Sequence, residues 1–482
     1  MIASSSPALR ALILIHRWLG IAFCLLFAMW FATGIVMHFV PFPTLTEAER
    51  IGGLQSIDRA RIRHGPSEAI SASKINDARR VRLLVRADGP VYIVQGASST
   101  AAVRATDLLP ANVQTETSAI RIAQAHAHRR GMQGAATFAG LDDYDQWTVS
   151  NNLDVHRPLY KIAVNDAAGT ELYVSSLTGE IVRDTTRAER WWNYAGSVTH
   201  WIYPTSLRRN WRAWDATVWW LSLAALLTAL AGAALGILRL EFERGRVATP
   251  YRAWHAWHHW LGLSCMTFVL TWIFSGWLSM DHGRLFSAYS AGAASGVSTI
   301  DGQAWNKTGM VEGIPPDAVE IEWFAFDNKI YRRDRRSLES QQLLLPGAPA
   351  QSSEPFLQAQ TVTEAISRLV SGCAPAVALG PSDDYPIASS MPNAPVYRTV
   401  CATTWLHVDG ANGAPLEALD ASRRAYRWLY SALHTLDFPA LSARPALRTG
   451  LVIVMCLFGL AFSVTGVVIG WRRLRRKFAA TT

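Results

Sequence analysis

Residues 16–38 read HRWLGIAFCLLFAMWFATGIVMH, a His-x-Trp-Leu-Gly motif followed by a long apolar run. The same motif opens residues 258–280, HHWLGLSCMTFVLTWIFSGWLSM. A bilayer core of about 30 Å requires about 20 apolar residues in a helix, so each stretch is long enough to cross a membrane. Because a backbone at that depth must satisfy its own hydrogen bonds, both stretches are predicted to be transmembrane helices.

The apolar residues of the chain are concentrated in four blocks of this kind. Half of the 482 residues are hydrophobic, and the blocks cover residues 18–40, 217–238, 260–280 and 449–470. The predicted fold class is therefore a membrane protein built on a bundle of four transmembrane helices, with long connections after the first and third helices.

Arginine placement predicts the orientation of the chain. The connector RLEFERGRVATPYR at 239–252 and the tail WRRLRRKF at 471–478 are rich in arginine, which favours the cytoplasmic side of a membrane. Both termini are thus expected in the cytoplasm, and the long loops at 41–210 and 283–445 in the periplasm. The net charge of +9 is explained by this orientation signal, and no nucleic-acid partner is expected.

The chain contains the unit helix, outer domain, helix twice. Residues of the first helix recur 242 positions later in the third, and residues 172–240 recur 234 positions later, which makes His200 equivalent to His434. Each outer loop ends in two alternating apolar strands around a turn, ELYVSSLTGEIV and WLHVDGANGAPLEAL. An aromatic and basic helix follows each strand pair and is expected to lie among the membrane lipid headgroups.

These features resemble the PepSY-associated transmembrane proteins, which include bacterial inner-membrane ferric-siderophore reductases. The resemblance rests on the two His-x-Trp-Leu-Gly helices, on LYVSSLTGEIV as a PepSY-type strand pair and on LHTLDFP before the fourth helix. It implies a tandem repeat with two α+β PepSY-like periplasmic domains. In chain order the predicted parts are helix 1 (1–40), first domain (41–210), helix 2 (211–240), connector (241–253), helix 3 (254–282), second domain (283–445) and helix 4 with a basic tail (446–482).

The resemblance also implies haem b bound by membrane histidines, with two haem groups expected. Two neutral imidazoles on one haem iron make a centre suited to electron transfer. His16 and His258, at equivalent positions of helices 1 and 3, are the predicted ligands of a haem near the cytoplasmic side. His255 and His259 remain alternates because they lie within one helical turn of His258.

Helical periodicity places further candidates for haem packing on the faces of the two histidines. Glycine allows a flat macrocycle to approach the backbone, and aromatic rings pack against it. The predicted packing residues are Gly20, Phe23, Phe27, Gly34, Gly262 and Gly276.

His200 and His434 are the predicted ligands of a second, outer haem. His38 and His282 are expected at the same level but are not equivalent in the repeat, so they are alternates. Two cysteines of the second outer loop, Cys373 and Cys401, are expected to form a disulfide in an oxidising compartment.

Three classes of function remain open at this point. The first is an oxidoreductase of the inner membrane that passes electrons from quinol or a cytoplasmic reductase to a periplasmic ferric-siderophore or other ferric chelate, releasing Fe(II). The second is a haem-free PepSY protein that binds or regulates a periplasmic partner. The third is a transporter of siderophore or iron. No GxGxxG fingerprint occurs, so a nicotinamide cofactor would have to act through a partner.

Overall fold

The computed structural model describes residues 6–243, 245–288, 296–297, 302–306, 308, 311–345, 353–380, 383–385 and 394–479. Its helices are α1 Pro7–Phe39, α2 Glu47–Gly52, α3 Pro66–Ser73, α4 Glu116–Arg129, α5 Arg187–Asn193, α6 Thr205–Arg208, α7 Trp211–Leu238, α8 Trp254–Leu278, α9 Gly302–Trp305, α10 Ala359–Leu369, α11 Ala421–Tyr426, α12 Leu433–Thr435, α13 Pro439–Ser442 and α14 Pro445–Ala479. Short 3₁₀ turns lie at Arg59–Arg61 and Asn151–His156, and π-helical segments lie at Tyr194–Val198 and Arg427–Ala432.

The strands are β1 Arg80–Arg86, β2 Gly89–Gln95, β3 Thr100–Arg104, β4 Thr137–Asp142, β5 Leu159–Ala163, β6 Glu171–Ser175, β7 Ile181–Thr185, β8 Glu241–Glu243, β9 Arg246–Ala248, β10 Glu320–Phe326, β11 Lys329–Arg335, β12 Gln341–Leu344, β13 Ser353–Glu354, β14 Val377–Ala378, β15 Val396–Cys401, β16 Thr404–Asp409 and β17 Pro415–Leu419.

Four helices, α1, α7, α8 and α14, are long and apolar enough to cross a membrane, which confirms the predicted bundle. The N-cap hydroxyl of Ser6 accepts a hydrogen bond from the Leu9 amide, and Pro7 starts α1 at the position where its missing N–H is not needed. Helix α1 packs against α14 and α7, and α8 packs against the same two. The two His-headed helices therefore face each other across the diagonal of the bundle.

The bundle has two distinct ends. We call the end that carries both chain termini the termini end, and the end from which the long loops leave the domain end. Apolar side chains fill the space between the two ends, with Phe27, Phe31 and Val269 among the buried ones. Phe31 packs against both Phe268 and Trp272, with ring centroids 6.4 and 6.1 Å apart.

The two outer domains are joined by one continuous sheet. Strand β1 of the first domain pairs antiparallel with β10 of the second, giving a seven-stranded sheet in the order β13-β12-β11-β10-β1-β2-β3. One apolar core lies on this sheet and takes residues from both domains, including Leu83 and Trp323. The sequence predicted two α+β domains but did not predict that they share a sheet.

Charged residues from both repeats are buried where β1 meets β10. Arg82 lies opposite Glu322 in the strand register. Glu320 and Glu322 are fully buried, and Glu320 pairs with Arg50 and Arg335 at 2.8 Å each. Buried charges are tolerated when they are paired, so the Arg and Glu side chains stabilise one another across the two repeats.

Each domain also has a smaller four-stranded sheet that contains its predicted strand pair. The sheets have the orders β4-β5-β6-β7 and β14-β15-β16-β17. The turns contain Gly179 and Gly413, with φ of +66° and +72°. A Cβ at Gly413 would lie 2.0 Å from the Phe326 ring, so glycine is needed there both for conformation and for space.

Cys373 and Cys401 form a disulfide in the second domain, linking the segment after α10 to the end of β15. The other three cysteines, Cys24, Cys265 and Cys456, are free thiols inside the spanning helices.

Candidate cofactor site: two histidine pairs in the bundle

His16 of α1 and His258 of α8 meet across the diagonal at the termini end. Their ring centroids are 6.3 Å apart and the rings are tilted by 37°. Two imidazoles that bind one metal ion through nitrogens about 2 Å away place their ring centroids about 6 Å apart. The separation in the bundle therefore fits two histidines that would hold one metal ion between them.

The neighbouring helices set which nitrogen of each inner ring carries the proton. Nδ1 of His16 donates to the carbonyl oxygen of Thr228 over 3.3 Å. Nδ1 of His258 lies 2.8 Å from Oγ1 of Thr465, whose own hydroxyl donates to the Phe462 carbonyl. Since that hydroxyl proton is already used, Thr465 accepts from Nδ1–H. Each Nε2 then keeps its lone pair for a ligand bond.

Glycines on the facing helices lie against the inner rings. A Cβ added at Gly232 would lie 2.7 Å from Cε1 of His16, and one at Gly466 would lie 3.6 Å from Cε1 of His258. Gly232 and Gly466 are equivalent in the repeat. The His258 ring also stacks on Phe462, with centroids 4.8 Å apart.

His200 and His434 occupy equivalent places at the domain end. Each follows a π-helical segment, Tyr194–Val198 or Arg427–Ala432, which interrupts the regular turn just before the histidine. Such segments are frequent at functional sites because they reorient the residues that follow. The His200 ring lies against Gly34 of α1 and the His434 ring against Gly276 of α8.

The outer rings are held in the same way as the inner ones. Nδ1 of His200 lies 2.9 Å from Oγ1 of Thr33, and Nδ1 of His434 lies 3.1 Å from Oγ of Ser275. Both hydroxyls donate to backbone carbonyls of their own helices, so they accept from Nδ1–H. No described residue forms a hydrogen bond with Nε2 in any of the four histidines.

Burial keeps the outer histidines neutral. It is the main cause that lowers the pKa of His200 to about 3, and the nearby His434 lowers it further. Burial likewise lowers the pKa of His434 to about 4. Neutral imidazole is the form that binds a metal ion.

Each alternate histidine either has a polar partner at its ring or is exposed. His259 uses both ring nitrogens, one with Thr249 at 2.7 Å and one with the Gly236 carbonyl at 2.8 Å. Nε2 of His38 is bonded to Thr449 at 2.9 Å. His282 pairs through Nδ1 with Asp215 at 2.5 Å. His255 is exposed on the first turn of α8.

The predicted packing residues divide between the two levels. Gly34 and Gly276 lie beside the outer rings, although periodicity had grouped them with His16 and His258. Phe27 is buried in the bundle core and Phe23 packs against it. A Cβ at Gly20 would meet no atom within 4 Å, and one at Gly262 would lie 3.0 Å from Phe462.

Sequence reasoning missed the residues that hold the rings. Gly232 and Gly466 are equivalent in the repeat, but their place in two apolar helices indicates by itself only a close helix contact. Thr33 and Ser275 immediately precede Gly34 and Gly276, so the same 242-residue offset contained the signal. A hydroxyl residue at equivalent positions of two apolar helices is the pattern that could have identified them.

The inner histidine pair fits one bis-imidazole centre for a flat macrocyclic cofactor, and the outer histidines, whose Nδ1 atoms are bonded in the same way, offer a second pair of free Nε2 atoms. Glycine beside each ring leaves room for the imidazole itself, and the hydrogen-bonded Nδ1–H fixes the ring orientation. The buried indole Nε1 of Trp272 has no hydrogen-bond partner in the described part of the chain, whereas its equivalent in Trp30 donates to the His200 carbonyl. Among the described residues, no group of three or more His, Cys, Asp or Glu side chains is placed to hold a metal ion.

A family model described as the PepSY-associated TM region matches residues 13–473, a range that contains both outer domains and most or all of each spanning helix. No curated protein matches the chain.

Proposed function

The chain belongs to the PepSY-associated transmembrane family, and from this premise we propose that it is a haem b reductase of the bacterial inner membrane. Electrons from quinol or a cytoplasmic reductase enter at the termini end, and a periplasmic ferric chelate such as a ferric-siderophore is reduced at the domain end. Fe(II) is then released, because a chelator selective for Fe(III) holds Fe(II) weakly.

One observation carries this proposal: four histidines at two pairs of repeat-equivalent positions present a free Nε2 while Nδ1 is held. His16 and His258 would hold the inner haem, and His200 and His434 the outer one. Haem b bound by two imidazoles supplies a reversible one-electron couple. The chain itself fixes the tautomer of each imidazole and places glycine and aromatic side chains beside the rings.

The packed centre of the bundle supports electron transfer over transport. Phe31, Phe268 and Trp272 fill the space between the two histidine levels. Transporters with internal repeats bind their substrate near the membrane midplane, at broken helices or polar groups. The described residues at this level are mostly aromatic and aliphatic, which disfavours a siderophore or iron ion as cargo.

The haem-free alternative, a PepSY protein that only binds or regulates a periplasmic partner, gives the four half-buried imidazoles no role. Ionisable residues inside a membrane protein are usually functional because their burial is unfavourable. The arginine-rich connector and tail support the orientation with both termini in the cytoplasm.

The experiment that tests the proposal reconstitutes the full chain into lipid vesicles that enclose a membrane-impermeant reductant. A ferric chelate and a chromogenic Fe(II)-specific chelator are placed outside. We expect Fe(II) to appear outside vesicles with the protein and not outside protein-free vesicles. His258→Ala should reduce this rate to near that of protein-free vesicles, whereas His255→Ala should leave it unchanged. Equal rates with and without the protein would contradict the proposal.

A further inference from the structure

A cavity of about 330 Å³ opens on the first outer domain, beside β5, β6 and α5. Ligand sites in proteins commonly measure about 300–1,000 Å³. Three aromatic and three cationic side chains line it: Trp147, Trp191, Tyr194, Lys161, Arg187 and Arg190.

The cavity wall is positively charged. Its one carboxylate, Glu171, lies 3.5 Å from both Lys161 and Arg190. Lys161 also pairs with Asp145 at 3.0 Å. The side chain of Arg187, by contrast, is exposed and forms no hydrogen bond or ion pair with any described residue. Arg187 is therefore free to bind an anion.

The aromatic side chains are exposed to an unusual degree. Trp191 is 72 % exposed and Tyr194 is 47 % exposed. Trp147 is buried beneath them and meets Tyr194 edge-on, with centroids 5.0 Å apart. Exposed rings beside guanidinium groups offer both stacking and charge to a flat anionic ligand.

The second repeat fills the corresponding place with its own side chain. Trp405, equivalent to Glu171 at the 234-residue offset, lies between two guanidinium groups. The guanidinium carbons of Arg398 and Arg424 are 4.9 and 4.8 Å from its ring, and Tyr385 packs edge-on at 4.9 Å. An aromatic ring between two arginines is thus built into one repeat, and the other repeat leaves a cavity lined by similar groups.

The cavity is close to the outer histidine pair. Tyr194 precedes His200 by six residues on one continuous helical stretch, which corresponds to a rise of about 9 Å. A ligand in the cavity would lie on the outer face of the helix that carries His200.

We infer that this cavity binds an anionic ferric complex whose iron is held by aromatic oxygen donors of the catecholate type. The inference rests on the proposed function, because the reductase activity supplies the reason for a ferric complex at this place. Three catecholates on Fe(III) give a complex with three negative charges and flat rings, matching Arg187 and the exposed aromatic faces. A tris-hydroxamate complex is uncharged and lacks the rings, so it should bind more weakly.

The test uses the full chain in nanodiscs of zwitterionic lipid, titrated by calorimetry with a hexadentate gallium(III) tris-catecholate. Gallium(III) has the charge and size of Fe(III) but is not reduced, so binding is measured apart from electron transfer. We expect Arg187→Ala and Trp191→Ala each to weaken binding about fivefold to tenfold, which corresponds to about 1 kcal/mol or slightly more. The gallium tris-hydroxamate should bind at least about tenfold more weakly than the tris-catecholate.

Two matched controls separate the cavity from general effects. Arg121→Ala removes the same charge from an exposed place in α4, and Trp192→Ala removes an exposed indole next to Trp191 but outside the cavity. Both should bind the gallium complex like the unmodified chain.

Two results would overturn the inference. These are equal binding of the two gallium complexes, or equal losses in the control and cavity variants. The binding result does not depend on haem or reductase activity. A chain that fails the vesicle assay can still pass this test, and a working reductase can still fail it.

Discussion

The two repeats are alike inside the membrane and different outside it. In the bundle, both repeats place a hydroxyl residue and a glycine against an outer histidine, at Thr33 with Gly34 and at Ser275 with Gly276. Both also interrupt the preceding helix with a π segment. This agreement indicates that the histidine sites need equivalent groups from both repeats.

The outer domains have kept the same strands but diverged in their surfaces. The open aromatic and cationic cavity belongs to the first repeat, whereas the second fills that place with Trp405 and carries the disulfide. A symmetric centre requires two equal ligands, but an asymmetric ligand needs only one binding surface. The difference between the halves therefore separates the residues proposed to hold a cofactor from those proposed to recognise a ligand.

Replacing one histidine of either pair by alanine should have the largest effect, which is expected on the bound haem. His16→Ala leaves one strong ligand at the termini end, and His434→Ala does the same at the domain end. Each variant should lose about half of the bound haem or convert it to a high-spin form, because the two pairs use different residues. The optical spectrum would show this, with His38→Ala as a control that retains both centres. Full low-spin haem in both single variants would contradict the assignment.

Removing a buried charge between the repeats should destabilise the shared sheet. Glu320→Gln leaves Arg50 and Arg335 without their buried partner and should cost about 3–5 kcal/mol of unfolding free energy. The exposed pair of Arg336 and Asp317, also 2.8 Å apart, is the matched control. Asp317→Asn should cost at most about 1 kcal/mol, as is usual for exposed pairs. Denaturant unfolding of both variants would measure the difference, and equal losses would show that the buried pair has no special role.

The same buried carboxylates predict acid sensitivity of the joined domains. Burial alone would raise the pKa of Glu322, but Arg80, Arg333 and Arg335 overcome it and lower the pKa to about 2. A carboxyl whose pKa is lower in the folded state stabilises the protein above its ordinary value of 4.5, and this contribution is lost as the pH falls from there towards 2. Thermal unfolding between pH 6 and pH 2 should show the loss. Unchanged stability across this range would exclude the network as a source of stability.

Reducing the disulfide should affect the second outer domain alone. Its two cysteines are 28 residues apart, and a cross-link of this kind typically contributes about 2–4 kcal/mol. Hydrogen exchange with and without reductant should show faster exchange in residues 353–419 and no change in the strands of the first repeat. Alkylation of both thiols in denatured, unreduced protein would show that the disulfide does not form.

The smallest expected effect is a spectral difference between alanine variants of two glycines that are equivalent in the repeat. Gly232→Ala places a methyl group 2.7 Å from the His16 ring, so the ring must move, whereas Gly466→Ala places one at an ordinary 3.6 Å from His258. We expect a change in the spectrum of the inner centre in the first variant and none in the second. Identical spectra for both variants would mean that the His16 ring moves without affecting its ligand role.

Much of the bundle could be predicted from sequence because the length of an apolar run and the offset of a repeat can be read directly from the chain. Apolar length identified the four helices, and the two offsets paired His16 with His258 and His200 with His434. Single-helix periodicity could not decide which glycine serves which histidine, because the rings of the outer pair come from other segments and reach Gly34 and Gly276 from outside their own helices.

The shared sheet could not be predicted in the same way. Strands β1 and β10 are separated by more than two hundred residues, and no local pattern specifies such a pairing. A weaker signal was present in RVRLLVR and EIEWFAF, where two arginines in one strand and two glutamates in the other alternate with apolar residues, and the pairing sets Arg82 opposite Glu322. Complementary charges inside otherwise apolar strands favour pairing between those strands.

The central claim is that each of two histidine pairs holds one haem. Its most direct test is the dithionite-reduced minus oxidised spectrum of the purified full chain, with pyridine-haemochrome quantitation of haem per polypeptide. The account predicts b-type haem, low-spin in both oxidation states, at two per chain. A chain purified from haem-sufficient cells without a Soret band would contradict it.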